Sequence, residues 1–168
     1  MAECLIEKLF EHNNWANHRL IEACSGLSDE QLDAQPASAA YGNIRQTMIH
    51  LVSAQVGYLK LLTRPVEERK QARIDLEFSG LAQAAAASGN GLLDLVRDGG
   101  NRLTTGRLET TDGYWVDLWV VLVQAINHAD EHREQVCSQL SALDLKPPAL
   151  DGWTFGEATG ALVSVDGS

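Results

Sequence analysis

The stretch from Leu118 to Gln139, LWVVLVQAINHADEHREQVCSQ, constrains this chain more than any other. Apolar residues at Leu118, Val121, Leu122, Ala125, Ala129, Val136, Leu140 and Leu143 recur at helical spacing and mark one buried face. A long helix with a single apolar face needs other helices to cover it. The same helix carries His128 and His132. A four-residue step turns an α-helix by about 400°, so the second side chain lies roughly 40° from the first, one turn on. Two imidazoles stacked in this way can point at one cation. His132 falls inside the apolar stripe and His128 at its edge, so both face the bundle interior or its rim.

The rest of the chain supplies the partners. Residues 3–25 form a first helix with Ile6, Leu9, Phe10, Ala16, Leu20, Ile21 and Cys24 on one face. Asn13 and Asn17 share that face; buried amides need partners, so hydrogen bonding between helices is the preferred reading over a pocket lining. His12 and His18 flank the stripe and read as solvated. Ser28 to Gln31 is a capping-box pattern that predicts a short helical turn over 28–34, followed by a loop through Pro36, Ala37, Ser38, Tyr41 and Gly42. A second long helix runs from about Asn43 to Thr63, stopped by Pro65, with Ile44, Thr47, Leu51, Gln55, Tyr58 and Leu62 in one stripe. His50 lies at the outer edge of that stripe, in a position comparable to that of His128, and is the candidate third ligand; position alone suits a half-exposed rim histidine equally well.

Val66–Arg73 is charged and reads as exposed. A third helix is expected over Glu77–Arg102, with Leu81, Ala84, Ala85, Ser88, Leu92, Leu95 and Val96 inward and with Gly89, Gly91, Gly99 and Gly100 as places for a kink or break. Leu103–Gly113 is a polar connection with some β character. The fourth helix is expected from near Tyr114 to near Leu143, and residues 144–168 as an irregular tail that packs Trp153 and Phe155 on the bundle. No repeat and no second domain is visible, so residues 1–168 read as one all-α domain, a four-helix bundle with long crossover connections.

Composition removes several function classes. At 168 residues the chain can bury a real core. A formal net charge of −10 argues against nucleic acid and against an anionic membrane surface. No apolar run approaches the ~20 residues of a membrane-spanning helix, and no signal peptide is visible at the N-terminus. Cys4, Cys24 and Cys137 are widely spaced, without a CxxC, and suit free thiols in a reducing cytoplasm. Cys24 and Cys137 read as buried filler.

Three neutral imidazoles from His50, His128 and His132 would leave an open position on a divalent ion. Such an ion lowers the pKa of bound water to ~7 or holds a thiolate as a nucleophile. Zinc is the default; nickel, iron or copper also accept imidazole. The HxxxH spacing is weak evidence by itself, and this is not the zincin pattern, because Ala129 stands where HExxH has its glutamate.

The segments HNNWANHRLIEACSGLSDEQL, GNIRQTMIHLVSAQVGYL and INHADEHREQV together resemble the DinB/YfiT-like superfamily of metal-dependent enzymes. WANHRL…LSDEQL and NHxxxHRxQV are the most telling pieces, and the resemblance spans nearly the whole bundle. It implies a metal held by one histidine of the second helix and two of the last, which fall on His50, His128 and His132. It also implies a homodimer and an open metal position filled by water. The chain departs at Glu134, where the family often has glycine; this bears on the local surface rather than on the metal. Characterised members include thiol-dependent isomerases and transferases, and others are stress-response proteins without assigned substrates.

The resemblance therefore implies a thiol-dependent transferase or hydrolase acting on a small molecule, with a low-molecular-weight thiol as a further cofactor. A non-catalytic, dimeric metal-binding or structural bundle is the alternative, and a metal-free bundle binding an organic ligand is a third reading. Glu131, about 60° from His128 around the helix, is the candidate general base or orienter, or else an ordinary solvated carboxylate. Arg45, Arg133, Asn13, Asn17, Gln55 and Gln124 are candidate substrate contacts. Trp115 and Trp119 are expected in core or dimer packing.

Overall fold

The computed structural model describes residues 4–35, 42–71, 76–99 and 102–165. Most of the loop expected at 36–42, the end of the charged segment and Gly100 lie outside them. Four long helices form the bundle: α1 (Leu5–Ser25), α3 (Ile44–Thr63), α5 (Leu81–Gly99) and α7 (Leu118–Ala142). Between them come the short helices α2 (Asp29–Asp33), α4 (Val66–Gln71) and α6 (Arg102–Thr105), a hairpin of β1 (Arg107–Glu109) and β2 (Trp115–Asp117), and finally α8 (Gly152–Thr159).

Around the bundle α1 packs on α5, α5 on α3, α3 on α7 and α7 on α1. Consecutive helices α1 and α3 are therefore diagonal, as are α5 and α7, which is why their connections cross the bundle. Two apolar clusters fill the core. One gathers Leu20, Ile44, Met48, Leu51, Leu81 and Val136; the other gathers Phe10, Leu92, Val96, Leu103 and Leu122. On α1, α3 and α5 a buried polar layer falls between them: Asn13, Asn17, Gln55 and Ser88. Gln55 Nε2 donates to Ser88 Oγ at 2.8 Å and to the Ala85 carbonyl at 2.9 Å, and Asn17 Nδ2 donates to Gln55 Oε1 at 2.7 Å. The asparagines thus bond between helices, as their burial requires.

Helix starts follow local chemistry. Capping boxes Ser28/Gln31 and Asn43/Gln46 open α2 and α3. Gly42, at φ +68°, precedes the second box; a Cβ there would run into the Gln46 side chain that completes it. Arg45 then ties α2 to α3, its Nη2 reaching Asp29 Oδ1 at 2.6 Å and its Nε reaching Asp33 Oδ1 at 2.7 Å.

Several expectations need correction. The fourth helix begins at Leu118 rather than Tyr114, because Trp115–Asp117 pairs antiparallel with Arg107–Glu109, with Leu108 opposite Val116. The third begins with a 3₁₀ turn at Phe78–Gly80 and ends at Gly99; Gly89 and Gly91 lie inside it without breaking it. The tail is not irregular throughout: Asp151 caps α8 by accepting from the Trp153 and Thr154 amides, and Gly160 closes it at φ +72°. Phe155 packs on Trp15 with ring centroids 5.3 Å apart, whereas Trp153 is 75% exposed. His12 is half-buried rather than solvated. Its Nε2 lies 2.7 Å from the Leu150 carbonyl oxygen and its ring meets Phe155 edge-on, while His18 is exposed as expected. Leu9 is exposed, and Trp115 and Trp119, at 70% and 48% exposure, are not core residues of this chain. Among the described residues no helix is long and apolar enough to cross a membrane.

Candidate metal centre

The pairing of α3 with α7 brings the three histidines together. His50 Nε2 lies 3.0 Å from His128 Nε2, and one ring nitrogen from each of His50, His128 and His132 falls within 4.8 Å of the other two. The rings meet at steep angles, with centroids 4.9 Å (His50–His128), 4.7 Å (His50–His132) and 4.4 Å (His128–His132) apart. A tetrahedral ion with Zn–N bonds of ~2.0–2.1 Å separates its ligand nitrogens by about 3.3 Å. The donor set and its spacing fit a borderline-soft divalent cation. Among the described residues no cysteine or carboxylate joins the group as a fourth donor.

The surroundings favour the ligand form of these side chains. His132 Nδ1 lies 3.0 Å from Gln135 Oε1. An Nδ1–H donated to that oxygen leaves the lone pair on Nε2, the arrangement that orients metal-binding imidazoles. Burial, reinforced by the neighbouring His132 and His50, pushes the pKa of His128 down to about 4. Burial and His132 lower that of His50 as well. Both rings are therefore neutral near pH 7, as metal binding requires. Tyr58 stands edge-on to His128 at 5.8 Å; burial raises its phenol pKa, a hydrogen bond with Gln124 opposes the shift, and the charge of Glu131 adds to it.

Two clefts meet at the cluster. One, of about 580 Å³, is lined by Gly42, Gln46, Thr47, His50, Glu131 and His132. The other, of about 430 Å³, runs from His50 and His128 past Tyr58 to Lys60, Arg69 and Thr111. Glu131 is exposed and shares the first cleft with two of the histidines.

Other expected contacts are committed elsewhere. Arg133, 2% exposed, donates from Nη1 to Asn13 Oδ1 at 2.7 Å and to Asn17 Oδ1 at 2.8 Å, and from Nη2 to Asp130 Oδ1 at 3.2 Å. Arg45 is engaged by two aspartates, Gln55 by the polar layer, and Gln124 by Tyr58. Sequence reasoning gave no role to Gln135, although a glutamine one turn beyond a ligand is a readable signal, nor to Lys60 and Arg69.

A helical bundle whose facing helices converge three imidazoles at the rim fits a metal-binding protein. The chain belongs to the DinB family, whose model matches residues 1–162. Its fold is similar to that of a DinB-family member from Exiguobacterium sibiricum 255-15, with a TM-score of 0.67 at 17% identity, covering 87% of this chain and 97% of that one. It is similar also to a DinB-like protein from Bacillus cereus ATCC 10987, with a TM-score of 0.62 at 16% identity, covering 86% of this chain and 94% of that one. No curated protein matches the chain.

Proposed function

We propose that this protein is a divalent-metal-dependent enzyme, a thiol-dependent transferase or a hydrolase of small molecules, with zinc as the first candidate ion and nickel or iron as alternatives. The observation that carries the reading is a group of three histidines with no fourth donor among the described residues, set where two clefts meet. Structural sites are closed by four protein ligands, whereas catalytic ones keep a position for water or substrate. His50, His128 and His132 would hold the ion, which when bound supplies the Lewis acidity that activates a water or a thiol. Gln135 fixes the His132 ring. Glu131, at the wall of the larger cleft, would accept on a carboxylate oxygen the proton released by the incoming nucleophile.

The acidic composition and the absence of an apolar spanning helix among the described residues agree with a cytoplasmic setting. Tyr114, Trp115, Trp119 and Val123, on the hairpin and the start of α7, are large exposed apolar side chains that a homodimer would cover.

The test is the visible spectrum of cobalt-loaded protein. An open site should show a spectrum that 2-mercaptoethanol shifts as thiolate enters, and Glu131→Gln should keep that spectrum while losing turnover. A spectrum that no added ligand perturbs would favour the alternative, a non-catalytic metal-binding bundle.

A further inference from the structure

We infer that the cleft on the Tyr58 side of the histidines is an anion pocket, in which Arg69 and Lys60 anchor the carboxylate or phosphate of a small-molecule substrate. The inference deepens the proposed function and rests on the histidine cluster as the reactive centre. Its ground is the state of Arg69. In a chain with 23 acidic and 13 Lys and Arg side chains, six cations have carboxylate partners among the described residues, Arg45 with Asp29 and Asp33, Arg97 with Glu11 and Arg107 with Asp117 among them. The Nε and Nη1 of Arg69 are shut off from water and have no acceptor among the described residues. The carboxylate next to it in sequence, Glu68, faces Arg64 at 3.4 Å.

A guanidinium is always charged and presents its donors in a rigid fork, and that of Arg69, which has no acceptor of its own among the described residues and lines the cleft, can turn those donors to an oxyanion there. Lys60, without an ion pair among the described residues, lines the same cleft and adds a second positive charge. Tyr58 and Thr111 line the same cleft and supply neutral polar groups, and His50 and His128 line it too. A cavity of about 430 Å³ takes a metabolite-sized molecule. Such a molecule, held by its anionic end at Arg69 and Lys60, presents its other end to the histidines.

The experiment is an NMR titration of the ¹⁵N-labelled full chain, metal-free, with inorganic phosphate and separately with acetate. The expected result is a saturable shift of the Arg69 Nε–H and of the Lys60 and Thr111 amides. Arg69→Gln should weaken binding at least tenfold, and Arg69→Lys should restore part of it. Saturation by phosphate alone assigns a phosphorylated substrate; saturation by acetate alone assigns a carboxylate. Either supports the pocket, provided that Arg69→Gln keeps the native amide spectrum elsewhere. Shifts that do not saturate, that map outside the cleft, or that persist unchanged in Arg69→Gln overturn it. Metal uptake is measured on the same samples. Wild-type protein that binds the anion but no metal would keep the pocket and remove the reactive centre, and Arg69→Gln should take up metal as the wild type does.

Discussion

Replacing Arg133 by methionine tests how much its buried guanidinium stabilises the bundle. Methionine keeps most of the apolar stem, so the change isolates the guanidinium. That group supplies the hydrogen bonds seen at two buried acceptors, Asn13 Oδ1 at 2.7 Å and Asn17 Oδ1 at 2.8 Å. Leaving a buried acceptor unsatisfied costs about 1–3 kcal/mol. Against this, the variant no longer buries a cation, a penalty visible in the depression of the Arg133 pKa by burial. The balance is a loss of about 2–4 kcal/mol, which for a chain of this size lowers the Tm by roughly 5–15 °C.

Urea denaturation read by circular dichroism measures the loss. A second variant sharpens the argument. Arg133→Met/Asn13→Leu removes one orphaned acceptor together with its donor, so the pair should cost less than the sum of the single changes, with a coupling of about 1–2 kcal/mol. A loss below about 0.5 kcal/mol for Arg133→Met, the range of ordinary surface changes, or strict additivity in the pair, would refute a stabilising role for its bonds to Asn13 and Asn17.

Gln135→Leu should retain the metal stoichiometry but weaken its affinity about 10–100-fold in a competition titration with a chelator, because the His132 ring loses the acceptor that fixes its tautomer. Metal-free protein should lose stability on acidification. The imidazole of His128 titrates near 6.5 when unfolded and near 4 when folded, so the unfolded chain binds more protons between these values. The contribution is full above pH 6.5 and is lost as the pH falls through 4; urea midpoints measured across that range should fall less steeply in His128→Ala. Of the three cysteines, only Cys4 should react quickly with a disulfide reagent at pH 8. Burial pushes the Cys24 thiol up to about 12 and that of Cys137 to about 11, and both should titrate only on unfolding.

The long helices were legible because they rest on periodicity, whereas the grouping of the three histidines came from the family resemblance, spacing alone suiting a rim histidine at His50 equally well. The stripe from Leu118 to Leu140 is buried as its spacing predicts, and the same arithmetic set His50 at the outer edge of its own stripe; the fold shows that this edge meets α7. What periodicity could not supply was pairing at a distance. Three-residue strands carry too little pattern to announce that Leu108 faces Val116. Helix α8 is too short for a repeat, although Asp151 and Gly160 are its cap signals in plain view. Arg133 read as a candidate substrate contact; the asparagines it bonds lie more than a hundred residues away, on α1. Arg69 sits in a segment that read as solvent-exposed, and only the fold shows that two of its nitrogens are covered.

In the proposed function His50, His128 and His132 hold a metal ion. That assignment is tested most directly by elemental analysis of the protein purified without an affinity tag, beside His128→Ala/His132→Ala. The account predicts close to one divalent ion per chain in the wild type and none in the variant, with both folded. A folded wild-type protein that takes up no zinc, nickel or iron, or a variant that keeps its metal, would contradict it.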